Sequence, residues 1–250
     1  MKKVIKIIIC ILLVSVFAFS AFQVISILLS RHTAKVHYES YDKYIITSTE
    51  PVNEEKQTEN AEEPITKNIA IDFKSFIHDY PNAIGWIYSQ GANLNYPVMQ
   101  GSNNSYYIDH LPDGSKNIAG SLFVDFRNSD PNVDSNYIIY GHNMNNGSMF
   151  GSITNYMHQE YYDKYPYIDF YTLNKDYRID LIAGCTVSVD SDIFNINLDD
   201  ENYIKELISN STFISNTTYN KNDKLVTLST CTNVSDDTRY VLIGVLKDSI

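Results

Sequence analysis

The chain has 250 residues, 44% hydrophobic and 13% aromatic, with ten Gly and seven Pro, which suits one substantial core and excludes a low-complexity chain, wholesale disorder and two full-sized domains. A net charge of −11 argues against nonspecific nucleic-acid binding, because a phosphate backbone needs clustered Lys and Arg. Three cysteines, at positions 10, 185 and 231, are too few for a disulfide scaffold and too far apart for a structural zinc site.

Residues 1–35 hold five cations and no acid, whereas the rest of the chain sets 14 cations against 30 acids. Within this first stretch, residues 7–29 are apolar apart from Ser, Cys and Gln23, long enough to cross a hydrocarbon core of ~30 Å at 1.5 Å per residue. Lys2, Lys3 and Lys6 precede the run and favour a cytoplasmic amino terminus with the remainder outside; Arg31 and Lys35 on the far side oppose them. The alternative is a cleaved signal peptide, with Ala18-Phe19-Ser20 as a small-x-small site. Apolar sequence continues past Ser20, which favours an uncleaved anchor, and Cys10 within it reads as a small apolar filler. Residues 48–64 contain six Glu and only Val52 and Ala61 as apolar side chains, too little buriable surface to offset chain entropy. The expected organisation is therefore an anchor over 1–35, an acidic extracellular linker over 36–67 that holds the domain off the membrane, and a folded domain over 68–250.

In that domain Phe73, Phe76, Ile77 and Tyr80 follow helical spacing, with Asp72 as amino-terminal cap and Pro81 beyond the last turn. A second helix is predicted over 200–208, where Tyr203, Ile204, Leu207 and Ile208 share one side and Asp199 or Asp200 can cap. Eight segments rich in β-branched and aromatic residues read as strands, over 85–88, 94–99, 120–125, 137–140, 167–173, 177–189, 225–230 and 240–246. The predicted fold is mainly β, a closed or nearly closed barrel with helices at its margins.

The last two strands form a hairpin around the polar stretch 232–238. Pairing brings Cys231, ending one strand, beside Arg239, starting the next. Alternation puts Thr227, Ser229 and Cys231 on one face, an unusually polar face for a barrel strand and one that a substrate groove would explain. A third group, His142, follows the strand ending at Tyr140 and Gly141, in a loop rich in Asn and Gly, where rigid sheets present catalytic side chains. A cysteine nucleophile benefits from a nearby proton acceptor and a cation, roles open to His142 and Arg239. Each also has an ordinary reading: a packed cysteine, a solvated histidine, a surface arginine. Cys185, within a strand, reads as a core residue, and His110 and His158 belong to no motif.

Thr227-Leu-Ser-Thr-Cys231 followed by Arg239 and an apolar strand resembles the active-site signature of sortases, and Tyr140-Gly-His-Asn-Met144 with Asn146-Gly-Ser-Met-Phe150 is similar to the histidine region of class B members. Asn82-Ala-Ile-Gly-Trp-Ile87, Asn95-Tyr-Pro-Val-Met-Gln-Gly101, residues 104–110 and Gly120-Ser-Leu-Phe-Val-Asp-Phe-Arg-Asn128 match in the same order. The resemblance covers about residues 70–246 and implies a closed eight-stranded sortase barrel with an amino-terminal helix and an inserted helix before the last strand pair. It further implies a membrane-anchored cysteine transpeptidase of Gram-positive bacteria, without cofactor or metal, that cleaves surface proteins at a carboxy-terminal sorting motif after Thr and transfers them to a peptidoglycan amine. His142, Cys231 and Arg239 would be catalytic, and Asn104, Ile108, Tyr140 and Ser229 would line the sorting-signal pocket. The helix over 200–208 would be the class B insertion, walling one side of the groove. Some class B members carry an acid two residues after the cysteine; here that position is Asn233, and Asp236 and Asp237 further along read as solvated. The competing readings are a sortase-fold domain acting mainly as a cysteine peptidase and a noncatalytic membrane-anchored binding domain. The sorting motif and the acceptor amine are not legible in the sequence.

Overall fold

A computed structural model describes residues 2–47, 69–232 and 235–249. The chain opens with helix α1 (Lys2–Ser40), whose apolar side chains lie exposed along the predicted span. By length and composition it is a helix able to cross a membrane, the one such helix among the described residues. It runs further than composition suggests. Ala34 is buried against the barrel, the Tyr38 hydroxyl donates to the Gly120 carbonyl at 2.6 Å, and Asn117 Nδ2 donates to the Ser30 carbonyl at 2.9 Å. A short 3-10 turn (Tyr41–Tyr44) follows, then strand β1 (Ile45–Thr47), which pairs antiparallel with β2 (Ile69–Ile71).

Residues 36–47, placed in the acidic linker on composition, are thus helix, turn and strand. The reason is aromatic burial: Tyr41 and Tyr44 are buried against Phe76, edge to face with centroids 5.6 and 4.9 Å away. Residues 48–67 of the expected linker lie outside the described residues. Their flanks do not, and register places Thr47 opposite Ile69. Starting the chain at residue 69 instead of residue 30 uncovers this aromatic cluster. With each buried tyrosine worth ~1.5–3 kcal/mol, we expect the melting temperature to fall by roughly 10 °C, read by circular dichroism.

Helix α2 (Phe73–Asp79) is capped as predicted, the Asp72 carboxylate accepting from Ser75 N. The barrel strands are β3 (Ala83–Ser89), β4 (Leu94–Gln100), β5 (Leu122–Val124), β6 (Asn136–Tyr140), β7 (Tyr167–Thr172), β8 (Asp176–Ser188), β9 (Leu225–Cys231) and β10 (Thr238–Asp248). They close in the order β10-β8-β7-β3-β4-β5-β6-β9, parallel at β4/β5 and β6/β9 and antiparallel elsewhere. All eight predicted strands are present, and closure removes the unpaired edges an open sheet would expose. Helix α3 (Gln159–Lys164), not predicted, lies between β6 and β7, and α4 (Glu201–Ser209) lies between β8 and β9 with Asp200 accepting from Asn202 N and Tyr203 N.

Alternation along the strands divides the apolar residues among three clusters. Ile87, Val98, Leu122, Ile139, Phe170, Ile179, Leu228 and Leu242 fill the barrel. On the outer face of β3 and β4, Trp86 and Met99 are covered by Tyr41, Tyr44, Phe73 and Phe76. On the outer face of β8 and β10, Ile182, Cys185, Val241 and Ile243 are covered by Ile193, Leu198, Ile204 and Leu207 of the insertion. Cys185 is a core residue as expected, its thiol donating to the Leu207 carbonyl at 3.2 Å and pushed up to about 11 by burial. Helix α4 therefore covers β8 and does not line the groove described below, contrary to the expectation that it walls one side. Its periodicity defines an apolar face, but the surface that receives that face is fixed by the tertiary fold. Between the two covers, Asn136, Ile138 and Thr227 on the outer face of β6 and β9 are also buried, and that face opens only toward the strand ends at Tyr140 and Cys231.

Candidate active site

A groove of about 320 Å³ lies at that opening, lined by Asn104, Ile108, Ser121, Phe123, Tyr140, Gly141, His142, Ser229, Thr230, Cys231 and Arg239. All seven residues singled out in the sequence line it. Parity explains the convergence. Inward residues of β9 are Val226 and Leu228, so Thr227, Ser229 and Cys231 face outward; inward residues of β6 are Tyr137 and Ile139, so Tyr140 faces outward, and His142 two residues on shares its parity. Register supplies the rest: Tyr140 is level with Ser229 across the parallel β6/β9 pair, and Arg239 stands opposite Cys231 across the antiparallel hairpin.

The strand ends carrying the imidazole and the thiol are tied to each other. Gly141 N donates to the Ser229 carbonyl at 3.1 Å, Thr230 Oγ1 to the Gly141 carbonyl at 2.8 Å, and Asn143 Nδ2 to the Cys231 carbonyl at 2.9 Å. Gly141 faces inward, where a Cβ would come within 2.3 Å of Leu122 Cδ2 and 2.7 Å of Phe150 Cδ2, so close packing there demands glycine. The loop after His142 closes on itself through Phe150 N donating to the His142 carbonyl at 3.0 Å, and Met149 N donates to the Tyr96 hydroxyl at 3.0 Å.

Cys231 is exposed and unbridged. His142 is half-buried, and its Nε2 lies 2.6 Å from the Ile108 carbonyl, an acceptor that requires a proton on that nitrogen. Arg239, also half-buried, donates through Nη1 to the carbonyls of Asp236 and Thr238 at 2.8 and 2.9 Å, so its hydrogen bonds hold it by main-chain oxygens and leave its charge unneutralised by them. Asp236 and Asp237 are exposed, as expected; Asn233 lies outside the described residues.

The pocket residues divide by how their polar atoms are used. Ser229 Oγ is buried without a hydrogen-bond partner among the described residues, a costly condition that a bound peptide group would relieve. Ile108 is 44% exposed and therefore offers an apolar surface to the groove instead of packing in the core. Asn104 and Tyr140, by contrast, turn their polar ends on a residue that sequence reasoning missed: Asp125. Its fully buried carboxylate accepts from Asn104 Nδ2 at 2.9 Å and the Tyr140 hydroxyl at 3.0 Å, and from Arg127 through N, Nε and Nη2 at 3.0, 2.8 and 2.8 Å. Burial pushes this carboxyl up, but the donors, led by the Arg127 side chain, outweigh burial and bring it down to about 2. The available signal was an Asp and an Arg two residues apart at a strand end, inside the Gly120 to Asn128 motif.

The chain matches the family model for the sortase domain over residues 87–247. Sortase B of Listeria monocytogenes is 31% identical over 157 residues, covering 61% of this chain and 64% of that protein, just under two thirds of its length. Sortase B of Staphylococcus aureus is 29% identical over 217 residues, covering 84% and 89%. In structure, the chain is similar to a Staphylococcus aureus sortase B-substrate complex, with a TM-score of 0.67 and 26% identity over 72% of this chain and 86% of that one. A crystal structure of sortase B complexed with triglycine matches with the same score, identity and coverage.

Proposed function

Because the chain belongs to the sortase family and is of the class B kind, we propose that it is a membrane-anchored cysteine transpeptidase. It cleaves a carboxy-terminal sorting motif after Thr and transfers the protein to a cell-wall peptidoglycan amine. The observation that carries this reading is the meeting of a thiol, an imidazole and a guanidinium, borne by three chain segments, in one open groove.

The residues take the following roles. The Cys231 thiolate attacks the Thr carbonyl carbon, forming a C–S bond, and the oxyanion is stabilised by Arg239 and main-chain N–H groups. His142, as imidazolium, gives a proton to the departing amine as the C–N bond breaks, leaving a thioacyl enzyme. An acceptor amine then attacks that carbonyl, His142 takes up the amine proton, and the C–S bond breaks to return the thiolate and leave a new amide. Water in place of the amine would give an acid, so positioning of the acceptor decides between transfer and hydrolysis. Ser229 Oγ is a hydrogen-bonding group for the bound peptide, Ile108 an apolar contact, and Asn104 and Tyr140 shape the pocket that receives the motif.

Residues 7–29 anchor the chain in a cell membrane with the amino terminus inside and the catalytic domain outside. The cation-rich first residues and the long apolar helix support this placement. The test is to incubate the detergent-solubilised chain with peptides of Asn-Pro-x-Thr-Asn-like and Pro-x-Thr-Gly-like sequence, with and without triglycine or a side-chain amine, and to weigh the products. A ligated peptide is expected with one motif class. Acid product with every amine would make the enzyme a peptidase, and no cleavage of any peptide would leave a binding domain.

A further inference from the structure

We propose that Asp125 is a positioning residue for this site: its one buried carboxylate fixes Asn104 and Tyr140, which line the groove, and through Arg127 fixes the inserted segment at Phe194. The inference rests on the function proposed above and extends it to a residue that does not line the groove.

Three separate chain segments meet at this carboxylate. Asn104 precedes the 3-10 turn (Tyr106–Ile108) that presents Ile108 to the groove, and it is held at both ends, since its Oδ1 accepts from Phe126 N at 2.9 Å while its Nδ2 donates to Asp125. Tyr140 ends β6 and stacks on Phe194 with centroids 6.4 Å apart. Arg127 grips Asp125 with a two-pronged fork and extends Nη2 to the Phe194 carbonyl at 2.9 Å. Asp125 itself is placed by its own strand end: Asp125 N donates to the Ile138 carbonyl at 2.9 Å, and Gln100 Nε2 donates to the Asp125 carbonyl at 3.2 Å. The site is thus a set of donors organised around a single acceptor.

Only an ionised carboxylate satisfies this set, because every neighbour points a hydrogen at it. An amide at position 125 keeps the shape but must turn its own N–H donors either toward Arg127 N and Nε, which share one oxygen, or toward Asn104, Tyr140 and Arg127 Nη2, which share the other. Whichever side it faces loses its acceptor, and the corresponding part of the pocket loosens. The sulfur and the guanidinium are held by other contacts, described above, and the Ile108 carbonyl that orients the imidazole lies in a turn braced independently of Asp125, with Ser121 N donating to the Tyr107 carbonyl at 2.9 Å and Ser121 Oγ to the His110 carbonyl at 2.8 Å, so the three groups should stay in place.

The test uses the full-length chain in detergent. For Asp125→Asn, KM for the sorting peptide should rise roughly tenfold while kcat stays within about twofold. Modification of Cys231 by a small thiosulfonate, followed on the peptide containing it, should proceed at the parent rate, because that reagent needs only the thiol. Hydrogen exchange should quicken at residues 104–106 and 192–195 and stay unchanged at 107–110 and in β8 and β10. An unchanged KM in a folded variant would overturn the proposal. So would a parallel loss of kcat, KM, thiol reactivity and protection in every strand, which is the pattern of general destabilisation. Should Asp125→Asn fail to fold, Arg127→Lys decides: it keeps a cation beside the buried carboxylate but cannot make the fork and reach the Phe194 carbonyl together, and the expected result is a roughly threefold rise in KM with faster exchange at 192–195. No change in either would overturn the proposal. If the parent chain cleaves no peptide, the transpeptidase reading falls, and the exchange comparison still decides whether Asp125 holds these segments in place.

Discussion

Cys231→Ala is expected to bind a sorting peptide with nearly the parent affinity and to cleave it at least ~10³-fold more slowly. The two halves of this result come from different features of the groove. In the proposed roles, binding would draw on Ile108, Ser229 and the shaped pocket around Tyr140, and none of these contacts requires sulfur. Cleavage draws on a bond that only the sulfur forms: with a methyl group in its place, neither His142 nor Arg239 offers a group able to make the thioacyl intermediate. The substitution is also structurally mild, since Cys231 ends its strand and is exposed, so a lost fold would not explain lost turnover. Fluorescence polarisation of a labelled peptide measures the first half and a fluorogenic version the second. Turnover within tenfold of the parent would mean that the nucleophile lies elsewhere.

Gly120→Ala is expected to damage stability and catalysis together. Gly120 has φ +56°, and a Cβ there would lie 2.3 Å from the Ile108 carbonyl oxygen, 2.5 Å from that of Tyr107 and 2.8 Å from the Ile108 carbonyl carbon. These are main-chain atoms, so the turn at 107–108 must shift. Neighbouring bonds resist: Ser121 N donates to the Tyr107 carbonyl at 2.9 Å, and Ser121 Oγ to the His110 carbonyl at 2.8 Å. We expect a loss of roughly 2–4 kcal/mol, or a melting temperature lower by roughly 5–15 °C. The same carbonyl that would be struck is the acceptor for His142 Nε2, so kcat/KM of the folded fraction should fall at least ~10-fold as the imidazole loses its fixed orientation. Gly147 provides the comparison. Its φ is also positive, at +77°, but nothing lies within 4 Å of a Cβ there, so Gly147→Ala should cost only the ~1–2 kcal/mol of backbone strain. Equal melting temperatures for the two variants would show that the 107–108 turn yields freely and does not brace the histidine.

The sequence made the barrel legible because its information is local. Alternation and turn residues mark each strand, and the hairpin needed only strand pairing to set Cys231 against Arg239, the register the structure has. Helix caps at Asp72 and Asp200 were equally local. What escaped notice depends on partners far away in the chain. Residues 36–47 contain ordinary polar and aromatic residues, and nothing in them announces that Tyr41 and Tyr44 find Phe76. Asp125 is one acid among many, and its weight comes from Asn104, Arg127 and Tyr140 meeting at one point. Helix α4 shows the same limit, since an apolar stripe tells that a helix packs but not against which strand. The short helix α3 has its single buried tyrosine, Tyr162, too little pattern to stand out.

The stiffness of α1 has a consequence for where the enzyme can act. A helix that leaves the proposed bilayer segment and continues without a break to Ser40, bonded at Ser30 and Tyr38 to the barrel, behaves as a rigid mast and not as a leash. The acidic stretch after Thr47 departs from and returns to adjacent strands, so it adds nothing to the enzyme's standoff height. With residues 7–29 in the bilayer as proposed, the groove would patrol a thin shell of fixed altitude above the lipid, and a protein awaiting processing would have to bring its motif to that altitude. Inserting flexible residues between the apolar segment and Ser30, ahead of the contacts that tie α1 to the barrel, would widen the shell, while removing a single turn there would both lower and rotate the groove relative to the membrane.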